Sequence, residues 1–277
     1  MNYYYLIAGL PDIQAEDTKS IASLLTLKEE MMAEVSQEDA KLVKLVFSAY
    51  DNANFLLFLN DREAQLNPLG NLSSDDFISL IASYNDEPRL LKNHIIPEYI
   101  QQFYLNTLDE SFHFDGVSKV DFLAGMYYNY AFTIKNEFLR NWFEYNLNIN
   151  NILTALICKK HGFSHKQMVI GNNEIAETIR HSNARDFGLS GLFVDYEAVN
   201  RIAEETNLLE REKKIDALKW NWLEENTFFK YFSIEKVLVY ILKVQMQERW
   251  KLLTVDKGAE IFRELVGELK KGVSFQP

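Results

Sequence analysis

The chain has very little cysteine and, over most of its length, no proline. Its one cysteine, Cys158, cannot form an internal disulfide, and the first residues lack the basic start and cleavage site of a secretory signal. We therefore expect a protein of the reducing cytoplasm. No proline lies between Pro97 and Pro277, so the strongest helix breaker is missing from this stretch, which is predicted to form one helix after another.

Positive charge is outnumbered by negative charge, and long apolar runs are scarce. The 277 residues carry a formal net charge of -11, which disfavours nucleic acid and anionic lipid as partners. The most apolar runs, Tyr3–Leu10 and Val237–Ile241, are far shorter than the roughly 20 residues that a membrane-spanning helix needs. We expect no direct membrane insertion, and any membrane contact should occur through other proteins.

Helix-start signals are frequent in the sequence. Ser36, Ser73 and Ser118 each stand three residues before an aspartate, and a carboxylate in that position suits the positive end of a helix. Gly162 suits the left-handed residue that ends a helix. Together with apolar spacing, these signals predict helices at about 37–61, 74–84, 97–108, 149–161, 173–182, 196–226, 234–252 and 256–271.

One apolar stripe predicts a long amphipathic helix after Ser118. Its members recur at three- and four-residue steps, which places them on one helical face. They are Leu123, Tyr127, Ala131, Ile134, Phe138 and Trp142. Only Asn2–Gly9 has the aromatic and β-branched character of a strand. The expected fold class is therefore all-α with at most a short N-terminal strand, in a single helical protein over residues 1–277.

A short pattern recurs along the chain. Asp51, Asn148 and Ser233 each stand four and five places before an apolar pair, and successive copies lie about 97 and 85 residues apart. This spacing predicts three similar helical subdomains that each open a helix in the same way. Their approximate bounds would be 1–97, 98–190 and 191–277. The alternative is that cap signals recur in any helical protein, and both interpretations are open at this point.

The best metal candidate in the sequence is the group Cys158, His161 and His165. Its spacing could present one thiolate and two imidazoles to a metal ion. A fourth ligand is missing, however, and Gly162 is predicted to end the helix inside the group. A buried thiol beside surface histidines is the simpler interpretation.

Other patterns with chemical meaning are incomplete. Glu110 and His113 match half of a di-iron carboxylate site, but the chain has no second Glu-x-x-His. A surface acidic patch near a helix end is the simpler interpretation. Gly188 and Gly191 resemble part of a kinase activation signature only by chance, and no phosphate-binding glycine loop or serine elbow is present. We predict no catalytic, cofactor-binding or metal-binding residue.

Aromatic residues are abundant, with 19 Phe, 14 Tyr and 4 Trp. Most are expected in the core, including Trp142, Phe143, Phe228 and Phe229, which follow helical patterns. Tyrosine and tryptophan are also enriched at protein interfaces. An extended docking surface is therefore the second interpretation of this composition.

Three stretches resemble proteins of rotary ATPases. Phe143–Gly162 combines an aromatic and acidic start, an apolar pair and a Lys-x-x-Gly end, and Val237–Gly258 contains the pair Glu248 and Arg249. Both resemble the C-type subunit of V- and A-type ATPases, which is the d-type subunit of the eukaryotic enzyme. The opening, Tyr3–Asp12, resembles a little-characterised bacterial family found alongside V-type ATPase subunits. The chain departs from the C-type pattern in being shorter and in having Asn148 where aspartate is usual.

The resemblance implies a non-catalytic central-stalk subunit without a cofactor. Its fold would be a funnel of three similar helical subdomains that caps the membrane rotor ring and receives the tip of the central shaft. Its partners would be that shaft and that ring, and it would lie in the cytoplasm, held at the inner membrane by those partners. Two other hypotheses are an all-helical adaptor for an unrelated protein and a helical-bundle metalloenzyme that uses Glu110 and His113.

Overall fold

The computed structural model describes residues 2–15, 23–86, 89–92 and 95–252, and this part of the chain contains eleven helices and no strand. They are α1 (Tyr4–Gly9), α2 (Leu24–Glu34), α3 (Gln37–Asn60), α4 (Ser74–Asp86), α5 (Glu98–Leu108), α6 (Lys119–Ala131), α7 (Glu137–His161), α8 (Glu174–His181), α9 (Tyr196–Ala203), α10 (Leu208–Glu225) and α11 (Ile234–Leu252). The predicted all-α fold is confirmed. The predicted helix at 256–271 lies outside the described residues.

Serine caps begin three helices where the sequence predicts them. The Ser36 hydroxyl accepts a hydrogen bond from the backbone N–H of Asp39 at 3.2 Å and donates to its carboxylate at 2.9 Å. Ser73 and Ser118 cap α4 and α6 in the same way. Gly162 ends α7 with a φ of 74°. These local signals place helix ends well because they satisfy backbone groups that the helix leaves open.

Two predicted helices are interrupted, and an asparagine causes each break. The stripe after Ser118 spans α6 and α7, because Asn136 accepts from Leu139 N at 2.9 Å and starts a new helix. The prediction for 196–226 spans α9 and α10, because Asn207 accepts from Leu209 N and Glu210 N. The spacing of apolar residues continues across each break since both helices face a core, so periodicity alone does not detect it.

Tyr4–Gly9 form a helix, so the strand-like character of Asn2–Gly9 does not produce the short strand that the sequence allows. Ile7 N donates to Tyr3 O at 2.9 Å, which pairs backbone groups within the segment. A strand here would need a neighbouring strand, and the described residues provide none. The structure also has a helix that the sequence analysis missed, α2, whose N-cap is Ser23.

In two of its three copies, the recurring pattern marks a position inside a helix and not a helix start. Asp51 and Asn148 lie within α3 and α7, and only Ser233 directly precedes a helix. The prediction that all three copies open a helix is therefore wrong. The first two copies nevertheless have a shared structural role.

In the first copy, polar side chains of α3 hold the loop that leads to α4. Asn54 is buried, accepts from Asn67 N at 2.8 Å and donates to Asn67 O at 2.9 Å. One turn earlier, the buried carboxylate of Asp51 accepts from the backbone N–H of Asn71 and, at 3.0 Å, from that of Leu72. The loop is thus fixed to the middle of α3, immediately before the cap of α4.

In the second copy, α7 holds the loop that leads to α8 by the same means. The buried Asn151 accepts from Ile170 N at 3.0 Å and donates to Ile170 O at 2.8 Å. One turn earlier, Asn148 accepts from the side chain of Asn173, which caps α8. α3 and α7 have 24 and 25 residues, and each is followed by a clamped loop and a capped helix; we call this shared arrangement the repeated unit. The division into three subdomains stays a prediction.

Buried apolar residues form two clusters that share one helix. The larger cluster joins α2 to α6 with the end of α10 and with α11, and the smaller one joins α8, α9 and the start of α10. The first half of α7 contributes Trp142 and Phe143 to the larger cluster, while its second half contributes Ile149 and Ile152 to the smaller one. α7 therefore connects the two cores without a break.

One described helix, α3, is long and apolar enough to cross a membrane by length and composition. Its most apolar window is 56% buried inside the fold. Phe47, Phe55 and Phe58 of this helix belong to the larger core. These properties are compatible with the core helix of a soluble protein.

Candidate functional site

Six large aromatic side chains are exposed in two neighbouring segments. The most exposed are Tyr5 at 90% and Phe229 at 81%. The complete set, which we call the aromatic surface, is Tyr4, Tyr5, Phe228, Phe229, Tyr231 and Phe232. The first two belong to α1, and the other four belong to the turn between α10 and α11.

The fold brings the two segments together through backbone and ring contacts. Tyr3 N donates to Phe232 O at 2.7 Å, and the ring centroids of Tyr4 and Phe232 are 4.7 Å apart. Tyr3 itself is buried, and its hydroxyl donates to Asp39 while accepting from Ser36 N. α1 is thereby fixed to the start of α3 on one side and to the α10–α11 turn on the other.

The aromatic surface is large for exposed apolar side chains, and ring contacts connect Tyr5, Tyr4, Phe232 and Tyr231 in one group and Phe228 with Phe229 in a second. With exposed fractions from 40% to 90% and about 200 Å² per aromatic side chain, the six residues expose roughly 700–800 Å². Monomeric proteins rarely expose connected apolar patches of more than a few hundred Å². The area is comparable with the roughly 800 Å² that each partner buries in a standard protein interface.

The sequence analysis places two of these residues wrongly. Phe228 and Phe229 are predicted in the core, but α10 ends at Glu225 and the turn that follows carries both rings into solvent. Trp142 and Phe143 are buried as predicted. The docking surface, which is the second interpretation of the composition, stays a prediction, and no signal in the sequence identifies which aromatics would form it.

The group Cys158, His161 and His165 is not assembled for metal binding. Cys158 is buried in α7, and His161 is the exposed last residue of that helix. His165 lies beyond the helix, with Nε2 3.0 Å from Ile179 O and its ring 5.0 Å from that of Phe187. Among the described residues, no group of three or more His, Cys, Asp or Glu side chains could hold a metal ion.

Glu110 and His113 lie in an exposed turn after α5. The neighbouring Asp109 accepts hydrogen bonds from the hydroxyl and backbone N–H of Ser111, which lower the pKa of its carboxyl. Asp115 is exposed nearby and has a positive φ of 49°. These residues form the surface acidic patch that is the simpler interpretation of the pattern.

Gly188 and Gly191 belong to a turn before α9. Asp186 accepts from Gly188 N at 3.0 Å and from the Ser190 hydroxyl, and these bonds lower the pKa of its carboxyl. Because the backbone N–H of Gly188 already donates to the Asp186 carboxylate, the turn resembles a local Asx turn and not a phosphate-binding loop.

A charged cluster that the sequence analysis did not detect joins α10 to α11. Arg249 donates to Asp216 at 2.6 Å and to Glu212 at 3.0 Å. Lys219 lies nearby, and burial lowers its pKa to about 8. Arg249 carries part of the resemblance to the C-type subunit, and here its guanidinium holds α11 against α10.

No curated protein and no solved structure matches the chain. The sequence model of one family, described as "Protein of unknown function (DUF2764)", matches residues 1–273. The match covers both segments of the aromatic surface and both clamped loops. The chain is therefore a member of the DUF2764 family.

Proposed function

We propose that this protein is a non-catalytic central-stalk subunit of a bacterial V/A-type ATPase. It would link the ATP-hydrolysing head to the ion-carrying ring of the membrane. The segments Phe143–Gly162 and Val237–Gly258 resemble the C-type subunit of these enzymes. This resemblance is the reason for proposing a rotary ATPase as the assembly. The partners would be the central shaft and the rotor ring.

The repeated unit is the observation that carries the proposal. The C-type subunit, which the sequence resembles, is built from similar helical subdomains. In this chain, Asn54 and Asn151 make equivalent pairs of hydrogen bonds to the loops before α4 and α8. Such a duplication is expected of that architecture and not of an arbitrary helical protein.

The physical demands on a torque-transmitting protein also agree with this fold. Such a part must resist bending and must be held firmly by its neighbours. The two cores are joined by α7 as one continuous helix, and close-packed interiors transmit strain. The aromatic surface offers an area of the size that a stable interface needs.

The same proposal places the protein in the cytoplasm, held at the inner membrane by its partners. α3 is the described helix with the composition of a membrane span, and it supplies Phe47, Phe55 and Phe58 to the larger core. Exposing these rings to lipid would require the core to open. Attachment through partner subunits avoids that cost.

The proposal is tested by recovering the tagged full-length protein from gently solubilised membranes of its own host and identifying bound proteins by mass spectrometry. We expect head, shaft and ring subunits of the rotary ATPase. The double variant Tyr5→Ser and Phe229→Ser should recover at least about tenfold less of them, because aromatic residues dominate interface energetics. Phe163→Ser is the matched control, since Phe163 is 68% exposed beyond the far end of α7.

Both surface variants should fold normally, because they remove exposed side chains, and thermal unfolding checks this. If the host expresses the ATPase subunits and none is recovered with the unaltered protein, the proposal is wrong. Recovery of a different protein that depends on Phe229 would then support the adaptor hypothesis. Equal loss with Phe163→Ser would show that the aromatic surface is not the docking site.

A further inference from the structure

A cavity of about 250 Å³ lies between the second half of α7 and α10. Its apolar wall is formed by Leu153 and Ile157 of α7 and by Ile215 of α10. Leu153 and Ile215 belong to the smaller core, so the cavity borders that core. Since an engineered cavity of about 150 Å³ can hold a benzene molecule, this one has room for at least one large apolar side chain.

The apolar wall continues onto the surface of the protein. Leu208 precedes Ile215 by seven residues, so the two side chains lie on one face of α10. Leu208 is 64% exposed, and Ile157 on the opposite wall is partly exposed. The described residues therefore leave an apolar strip beside the cavity uncovered.

The charged side chains of the cavity wall leave one cation available. Arg249 of α11 donates to Asp216 at 2.6 Å and to Glu212 at 3.0 Å, so both carboxylates of α10 at this site already have a cationic partner. Arg211 is partly exposed and belongs to no ion pair within the described residues. A segment that covers the apolar strip would therefore fit best with carboxylates along the edge of its apolar face.

The sequence that follows α11 has this pattern. Ile261, Leu265 and Leu269 recur at four-residue steps, and a glutamate precedes each of them. In a helix, the three apolar residues form one stripe and the glutamates form a second stripe along its edge. The sequence predicts a helix at 256–271, outside the described residues, and the family model extends past it to residue 273. The glutamates are Glu260, Glu264 and Glu268.

The end of α11 lies close to the cavity. Arg249 is part of the cavity wall, and α11 ends three residues later at Leu252. Seven residues separate Leu252 from Glu260, and a linker of that length can span up to about 23 Å. The segment is therefore long enough to reach the cavity from the end of α11.

We propose that residues 256–271 bind this cavity as an amphipathic helix of the same chain. The stripe of Ile261, Leu265 and Leu269 packs against the apolar wall and Leu208, and the glutamate stripe faces Arg211. A segment of the same chain is favoured over a second molecule because it begins beside the cavity, and a short linker gives it a high effective concentration there. The bound helix ties the end of α11 to the smaller core. This inference does not rest on the proposed function.

Hydrogen exchange measured by mass spectrometry on the full-length protein tests the apolar contact. In the variant Leu265→Ser, the backbone amides of residues 208–219 should exchange at least about tenfold faster, because the bound helix stabilises this part of α10 against local opening. Exchange in α4, which is not part of the cavity wall, should not change. Arg263→Ser is the matched control, since Arg263 lies two residues away on the opposite side of the predicted helix. Equal exchange in the two variants would overturn the proposal.

A charge reversal tests the contact with Arg211. Arg211→Glu should also speed exchange at residues 208–219, and changing Glu260, Glu264 and Glu268 to lysine in the same chain should restore the slow exchange. Because Arg211 is partly exposed, these variants keep the test valid where Leu265→Ser fails to fold. Failure of the reversal to restore slow exchange would overturn the proposed position of the glutamates.

Two further outcomes identify a different occupant. Slow exchange at residues 208–219 that depends on protein concentration would show that a second copy covers the cavity, and the proposal would be wrong. Slow exchange that appears only after a partner protein is added would show that the partner covers it, and this too would overturn the proposal. Either result leaves the proposed function to be decided by the recovery experiment alone.

Discussion

Replacing Asn54 by alanine tests whether the clamp on the first loop stabilises the fold. Asn54 is 2% exposed, and both ends of its amide bond to the backbone of Asn67, at 2.8 and 2.9 Å. Gly70 lies against the same amide, since a Cβ at Gly70 would be 2.5 Å from Asn54 Nδ2. The substitution therefore removes two hydrogen bonds and a packing contact at once.

The expected loss in unfolding free energy is about 2 kcal/mol. Each hydrogen bond contributes about 1 kcal/mol net, and the lost packing contact with Gly70 adds to the loss. Alanine offsets about 0.5 kcal/mol of this loss because it forms helices better than asparagine. Asn151→Ala removes the equivalent pair of bonds to Ile170, so a similar loss is expected for the second copy of the unit.

Urea denaturation followed by circular dichroism measures the change. Asn141→Ala is the matched control, because Asn141 is exposed within α7 and its replacement should be neutral or stabilising by about 0.5 kcal/mol. In Asn54→Ala, trypsin should also cleave faster after Arg62, which lies in the released loop. Losses below about 1 kcal/mol for both clamp variants would refute the stabilising role that we assign to the clamps.

Two further predictions concern Lys219 and Gly162. Because the pKa of Lys219 is lowered from its ordinary value of 10.5 to about 8, the unfolded chain binds more protons between these pH values, and the contribution of Lys219 to stability rises with pH across this window. Lys219→Met should raise the unfolding free energy at pH 7 by about 1–2 kcal/mol, a gain that partial solvation of the lysine keeps small. Urea denaturation should show this gain shrinking toward pH 10.5. A gain that does not change with pH would contradict the prediction. Gly162→Ala should cost about 1 kcal/mol in thermal unfolding, because the added Cβ meets nothing within 4 Å and only the left-handed conformation is strained. A loss above about 3 kcal/mol would instead point to lost contacts.

The features that the sequence predicts well are those set by neighbouring residues. The serine caps at Ser36, Ser73 and Ser118 and the glycine end at Gly162 each depend on backbone groups within one helical turn. The breaks at Asn136 and Asn207 have the same kind of local cause. The apolar spacing that continues across each break conceals them, although the side-chain oxygen of an asparagine can act as a cap.

The features that the sequence does not predict depend on contacts between distant residues. Whether Phe229 is buried is decided by where α10 ends and by what packs against the turn. The role of Asn54 depends on a loop that returns to the middle of its helix. The aromatic surface depends on Tyr3, which fixes α1 against α3 and the α10–α11 turn, and no local pattern encodes that arrangement.

Because α7 belongs to both cores, it couples the unfolding of one core to that of the other. The helix contributes Leu147 to the larger core and Tyr145 to the smaller core, so the two cores overlap within one helical turn. If the second half of α7 unfolds with the smaller core, the helical hydrogen bonds of its last turns break as well. That cost adds to the lost apolar packing and makes the two cores cooperative. Asn148, the residue that departs from the C-type pattern, follows this overlap directly, and its amide oxygen accepts from the side chain of Asn173, which caps α8.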